Sequence, residues 1–168
     1  MKRTILSVLF MLFTLLSLPP YAFCQEVTGI EIVEFGIYNR DVEKIIPDAS
    51  TLIGSRNVVK NPKLIEQTNK IVAKLGTSFG FRYKILGKSN GDTVTLEKEL
   101  VFPETTNPVT GKTSSRSVTK LSRKIGSTYF TDFSFEEPWE LAPGQYKISL
   151  FYNGRKLSEK IFFIESNN

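Results

Sequence analysis

Four carboxylates, Asp132, Glu136, Glu137 and Glu140, fall within nine residues. Two acids at a suitable separation can cleave a glycosidic bond, one protonating the leaving oxygen while the other attacks or activates water. A cluster can also hold calcium, but this spacing matches no calcium-loop pattern. The ordinary structural reading is a solvated strand end, offset by the charge of the stretch before it. That stretch, Thr105 to Thr131, contains no acidic residue and carries Lys112, Arg116, Lys120, Arg123 and Lys124. Such a run can grip an anionic polymer, or it can be a solvated face. Trp139, the only tryptophan, lies between Pro138 and Glu140, where it can anchor a partner or plug the edge of a core.

What the chain lacks narrows the chemistry further. It has no histidine, and its single cysteine, Cys24, lies near the N-terminus. No Ser-His-Asp or Cys-His nucleophile system and no conventional zinc site can be assembled from such a set. Neither a metal nor an organic cofactor is expected. The formal net charge is +5, and the +3 that remains without Lys2 and Arg3 is too small an excess to imply nucleic-acid binding.

Lys2 and Arg3 form a positive n-region, Thr4–Leu18 is almost wholly apolar, and Pro19-Pro20 ends the run before Ala22 and Cys24. This is the pattern of a secretory signal. It places a signal helix over residues 1–24, cleavage between Cys24 and Gln25, and one domain over residues 25–168. Losing Lys2 and Arg3 lowers the charge excess from five to three. The protein is then periplasmic or secreted. Two rivals stay open: an uncleaved anchor, for which the apolar run is short, and lipidation of Cys24, which would make an outer-membrane lipoprotein. The bulky Tyr21 and Phe23 stand against lipidation. No later segment is apolar enough to span a membrane. Without cysteine, the mature domain depends on packing and hydrogen bonds, and its 144 residues suffice for a core.

The elements that must position these groups are mostly strands. Phe79, Phe81, Tyr83 and Ile85 alternate with Arg82 and Lys84, the mark of a half-buried strand. Past the turn signals Gly87 and Asn90-Gly91, Val94, Leu96, Leu100 and Phe102 share one face of a second strand, and the two are expected to pair antiparallel. Asn153-Gly154 suits a type I′ hairpin. Pairing Tyr152 with Arg155 there puts Leu150 opposite Leu157 and Tyr146 opposite Ile161, with Glu159 against Ile148 as a misfit. Gly126-Ser127 fits a third hairpin, joining Val118–Ile125 to Thr128–Phe135 and setting Arg116 opposite Glu137. Residues 29–38 read as a strand if a bulge near Ile32-Val33 reconciles its two apolar phases. Leu64–Leu75 has helical spacing, with Pro62 as a possible start. Asn39–Lys63 and Pro103–Ser115 read as long connections, mobile or functional.

Several segments carry a resemblance: Leu64-Ile-Glu-Gln-Thr68, Lys74-Leu-Gly-Thr-Ser-Phe-Gly80, Asn107-Pro-Val-Thr-Gly-Lys112 and Trp139-Glu-Leu-Ala-Pro-Gly144. In that order, between Glu34-Phe-Gly-Ile-Tyr38 and Lys160-Ile-Phe-Phe-Ile164, the chain resembles the domain of unknown function 3859 family. The resemblance implies an immunoglobulin-like all-β fold and an extended Lys63–Val72 despite its helical spacing. The sequence departs from the family at Ile71-Val-Ala73, where a proline is expected after the isoleucine. With no established reaction or ligand in the family, no functional residue is carried over.

The expected fold is therefore an all-β, antiparallel, immunoglobulin-like sandwich of about seven or eight strands. The leading functional reading is a non-enzymatic binding or interaction module of the cell envelope, its partner an envelope protein or an anionic polymer. The candidate surface comprises Lys112, Arg116, Lys120, Arg123, Lys124 and Trp139, with the Pro103–Ser115 loop beside it. A carbohydrate-active enzyme using a carboxylate pair is the first alternative. The second is an assembly or chaperone-like protein that accepts a partner's strand on an open sheet edge.

Overall fold

The computed structural model describes residues 26–167; the signal segment 1–24 and the Cys24-Gln25 junction lie outside the described residues. Nine strands form among them: β1 (Val27–Pro47), β2 (Ser55–Glu66), β3 (Lys70–Val72), β4 (Ser78–Gly87), β5 (Thr93–Thr106), β6 (Thr113–Lys124), β7 (Thr128–Ser134), β8 (Gly144–Tyr152) and β9 (Arg155–Glu165). One sheet has the order β2-β1-β4-β7 and the other β3-β9-β8-β5-β6. They face each other across one core, giving the all-β sandwich expected. The strand beyond the expected count is the three-residue β3, which pairs parallel with β9, so the second sheet is mixed rather than wholly antiparallel.

The alternation in β4 selects the core directly: Phe79, Phe81, Tyr83 and Ile85 are all fully buried. Phe79 packs within 5.1–5.7 Å of the Phe133, Phe135, Tyr146 and Phe162 rings, joining both sheets. Truncating such a ring costs about 3–5 kcal/mol.

Alternation shows which side of a strand is buried, but not which strand lies beside it, and here two expected pairings are overturned. β4 and β5 do not pair; β4 lies between β1 and β7, and β5 between β8 and β6. The turn after Gly87 carries the chain across the sandwich, so the two apolar faces meet through the core instead of side by side. Gly126-Ser127 does the same. Its turn is tight, with Gly126 at φ 83 and the Ser127 N–H donating to the Lys124 carbonyl at 3.3 Å, yet β6 pairs with β5 and β7 with β4. Arg116 accordingly faces Val101, not Glu137, and its Nε pairs with Glu99 at 2.5 Å.

The Asn153-Gly154 turn forms with Tyr152 opposite Arg155, but a bulge at Leu157 then shifts the ladder by one residue. Leu150 faces Ser158, Tyr146 faces Phe162 and Ile148 faces Lys160. The shift removes the expected misfit: Glu159 comes opposite Ser149 and accepts its hydroxyl at 3.1 Å, while Phe162 and Ile164 turn into the core. The bulge expected near Ile32-Val33 is present, with Val33 skipped in the β1–β4 register and more than half exposed. Lys63–Val72 is extended, as the family resemblance implied, and is split between β2 in one sheet and β3 in the other, with Leu75 in the turn that follows. Ile71 and Ala73 go inward while Ile65, Val72 and Leu75 stay exposed, so the helical spacing does not mark a single buried face.

The two long connections are largely strand. β1 continues past Tyr38, its last partner on β4 being Ser78, and pairs with β2 as far as Pro47 opposite Ser55. This makes a β-arm that projects beyond the rest of its sheet. β5 and β6 likewise run to Thr106 and Thr113, leaving a short loop. Among the described residues no helix is long and apolar enough to cross a membrane.

Candidate functional site

The tip of the arm, residues 48–54, reaches across to the other sheet. Ser50 Oγ lies 3.2 Å from Thr119 Oγ1 on β6. The Asn107 amide donates to the Leu52 carbonyl at 3.0 Å, and Lys112 Nζ to the Ala49 carbonyl at 3.4 Å. Asn107 can hold this position because its own Oδ1 accepts the Val109 and Thr110 N–H groups at 2.9 and 3.2 Å, an Asx turn that fixes the loop. Between the arm, edge strand β7, and strands β5 and β6 lies a cleft of about 740 Å³, a size suited to a small ligand.

Six cationic side chains line it: Arg40 and Lys44 from β1, Arg56 from β2, Arg82 from β4, Lys98 from β5 and Arg123 from β6. Arg40, with its side chain only 8% exposed, binds Asp132 through Nε at 3.2 Å and Glu136 through a terminal nitrogen at 2.6 Å. Its other terminal nitrogen is buried without a hydrogen-bond partner. Arg56 pairs with Asp48 at 3.2 Å and Arg82 with Glu34 at 2.7 Å. Arg123 instead stacks over Tyr129, 4.7 Å from the ring centroid, and reaches Tyr83 Oη at 3.3 Å. Lys98 shares the inward register of Leu96 and Leu100, and its amine donates to the backbone carbonyl of Asp132 at 2.5 Å. The residue is partly exposed but its amine end is buried. That burial pushes the pKa down, against the pull of the Asp132 carboxylate and with the repulsion of Arg56, Arg123 and Arg40. The four cations therefore act on one volume.

The carboxylates that suggested hydrolysis are engaged elsewhere. Asp132 accepts the Ser78 hydroxyl at 2.8 Å as well as Arg40, and Glu136 accepts the Asn57 amide at 2.8 Å. Glu140, in the 3-10 turn Pro138–Glu140, reaches back to accept the N–H groups of Glu136 and Glu137 at 2.8 and 3.0 Å. Burial pushes its pKa up, those two N–H groups oppose the shift, and the charges of Glu136 and Glu137 add to it. Glu137 is exposed and does not line the cleft.

The expected basic surface is divided by the pleat of β6. Arg123 enters the cleft, alongside Ser117, Thr119 and Leu121. Arg116, Lys120 and Lys124 alternate onto the opposite face, and Lys112 lies on the loop against the arm. Trp139 does line the cleft, half-buried, as do Phe102, Phe133 and Tyr146, whose ring centroids lie 5.3–6.5 Å apart. Arg40 and Arg56 went unrecognised because Asn39–Lys63 reads as a loop. Lys98 did carry a signal, a lysine in the apolar phase of β5.

A family model described as a domain of unknown function, DUF3859, matches residues 26–164. An immunoglobulin-like protein from Pseudomonas aeruginosa has a similar solved structure, with 26% identity over 82% of this chain and 98% of its own, and a TM-score of 0.56. Looser likenesses reach parts of larger proteins: an alkylpurine DNA glycosylase from Pseudomonas fluorescens (13% identity, 58% of this chain, 28% of that one, TM-score 0.38) and a beta-glucosidase from Listeria innocua (9%, 76% and 16%, TM-score 0.38). No curated protein matches the sequence.

Proposed function

The chain belongs to the DUF3859 family and has an immunoglobulin-like fold; from its own geometry we propose that it is a non-enzymatic binding module whose site is the basic cleft beneath the β1–β2 arm. The observation that carries this reading is Arg40, sealed under the arm with one guanidinium nitrogen unpartnered. A buried donor left empty costs about 1–3 kcal/mol, and an anion entering the cleft relieves it. Lys98 and Arg123 make no ion pair with a carboxylate among the described residues. The absence of histidine supports binding over turnover, and the leader-like residues 1–24 support an exported location, periplasmic or secreted.

The test is thermal unfolding in chloride and in inorganic phosphate at equal ionic strength, for the parent and for Arg123→Met. Phosphate should raise the midpoint of the parent and much less that of the variant. An equal shift in both, or no shift of the parent in either phosphate or a medium-chain carboxylate, would overturn the reading.

One observation favours a second reading. Glu140, whose pKa burial pushes up, lines the same cleft as Asp132 and Glu136, and a buried acid sharing a cleft with other carboxylates is the raw material of a glycosidase. Against it, both N–H bonds to Glu140 are those of a structural cap, and both other carboxylates are held by Arg40. Glycan hydrolysis that disappears in Glu140→Gln would favour this reading over the first. Strand acceptance at β7 is disfavoured, because Lys98 already occupies the Asp132 carbonyl and an inward lysine blocks edge pairing.

A further inference from the structure

We propose that the ligand is a monoanionic amphiphile: a carboxylate seated at Lys98 and Arg123, with an apolar body against the Phe102, Phe133, Tyr146 and Trp139 wall. This rests on the binding-module reading and adds the chemistry of what is bound.

Charge balance calls for an anion. Six cations line the cleft against the carboxylates Asp132, Glu136 and Glu140. Two of the cations, Arg82 and Arg56, are matched by Glu34 and Asp48 from just outside it. The remainder is net positive. A single carboxylate offsets it while bringing one charge to desolvate, whereas a dianion brings a second charge into a half-enclosed site.

The uncompensated charge has a definite place. Arg40 is held between Asp132 and Glu136, leaving Lys98 and Arg123 as the buried or half-buried cations without a carboxylate bond. Stacking on Tyr129 fixes the Arg123 guanidinium, and a guanidinium presents a planar fork that matches a carboxylate. The unpartnered Arg40 nitrogen is a further donor for the same group.

The apolar half is equally specific. A site built only for an inorganic ion needs a few donors and little space. This one has about 740 Å³ and aromatic lining from Phe102, Phe133, Tyr146 and Trp139, enough to bury a chain of several methylenes.

The probe is octanoate, compared with acetate, inorganic phosphate and octan-1-ol, followed on the full chain by titration calorimetry and by the emission of Trp139, its only tryptophan. Octanoate should saturate at one per chain, change the emission, and bind at least tenfold more tightly than acetate or phosphate. Arg123→Met should weaken octanoate at least tenfold and Arg123→Lys less, with the unfolding midpoint of each variant reporting that it remains folded. Acetate or phosphate binding as tightly as octanoate would overturn the amphiphile while leaving the basic cleft as the binding site. Octanol binding as tightly as octanoate, undiminished in Arg123→Met, would show an apolar cavity and overturn the carboxylate. No binding of any probe would overturn both this inference and the reading it rests on.

Discussion

Arg40→Met is the substitution from which the structure yields the most definite number. Methionine keeps much of the aliphatic volume and removes the guanidinium, leaving Asp132 and Glu136 without their shared cation. Removing one partner of a fully buried pair costs about 3–5 kcal/mol. Asp132, 18% exposed, keeps the Ser78 hydroxyl at 2.8 Å, and Glu136, 37% exposed, keeps the Asn57 amide at 2.8 Å and reaches water. The unpartnered Arg40 nitrogen is a penalty that the substitution abolishes. Both corrections lower the cost, to about 2 kcal/mol, which for a domain of this size corresponds to a melting midpoint lower by about 5–8 °C. Urea unfolding at pH 7 measures it, with the slope expected unchanged because the substitution exposes no new surface in the native state. Asp132→Asn and Glu136→Gln, alone and combined with Arg40→Met, complete double-mutant cycles with coupling above about 0.5 kcal/mol. A loss of less than about 0.5 kcal/mol, the range of exposed surface pairs, would show that the arm does not seal Arg40 and would refute the reasoning.

Glu140→Gln keeps an acceptor for both backbone N–H groups and cannot ionise. Because burial holds the Glu140 pKa above its ordinary value of 4.5, the parent loses stability as pH rises above 4.5, so the variant should gain on the parent as pH is raised from that point in urea unfolding. A pH-independent difference would contradict the shift. Lys98 has the opposite sign: its pKa is lowered by burial, and the parent gains stability as pH rises from that lowered value towards 10.5. The stability of Lys98→Met relative to the parent should therefore fall over the alkaline range, and a flat difference would refute it. Gly80→Ala places a Cβ 2.1 Å from the Thr131 carbonyl oxygen on β7, where backbone must shift, and should cost more than about 2 kcal/mol or prevent folding; parent-like stability would show that β7 moves freely. Asn107→Ala removes one of the two bonds that tie the arm to the β5–β6 loop, leaving that of Lys112 to Ala49. It should cost about 1–2 kcal/mol and speed limited proteolysis within residues 48–54, while unchanged cleavage would mean that the tip is held by other contacts.

The core was legible where a single strand's alternation decides burial. Phe79, Phe81, Tyr83, Ile85, Val94, Leu96 and Leu100 all go inward as their spacing implies. The bulge at Val33 could be read because two apolar phases in one strand require it. The bulge at Leu157 left only a trace, the misplaced Glu159, since the turn residues fix where a ladder starts but not whether it slips further on. Of the residues lining the cleft, Arg123 and Trp139 belong to the candidate surface read from sequence, whereas Lys98 was missed although it is a charge in the apolar phase of β5. Arg40 could not be found, because nothing in Asn39–Lys63 distinguishes a loop from an arm paired with itself.

The sequence by itself determined the all-β character, the inward faces of β4 and β5, the sharp turns at Gly126 and Asn153-Gly154, and the exclusion of histidine and thiol chemistry from residues 25–168. These are local properties, set by the period of side chains along one strand and by the backbone angles a residue tolerates. Tertiary structure decided which strands are neighbours and therefore where the charges meet. Gly87 and Gly126 carry the chain across the sandwich instead of back along it, which parts β6 from β7 and places Arg123 and Lys98 around the edge that β7 leaves open. Long-range contacts of the arm, Arg40 with Asp132 and Ser50 with Thr119, then enclose that space. Such contacts join residues 69 to 92 positions apart, a separation over which no local periodicity carries information.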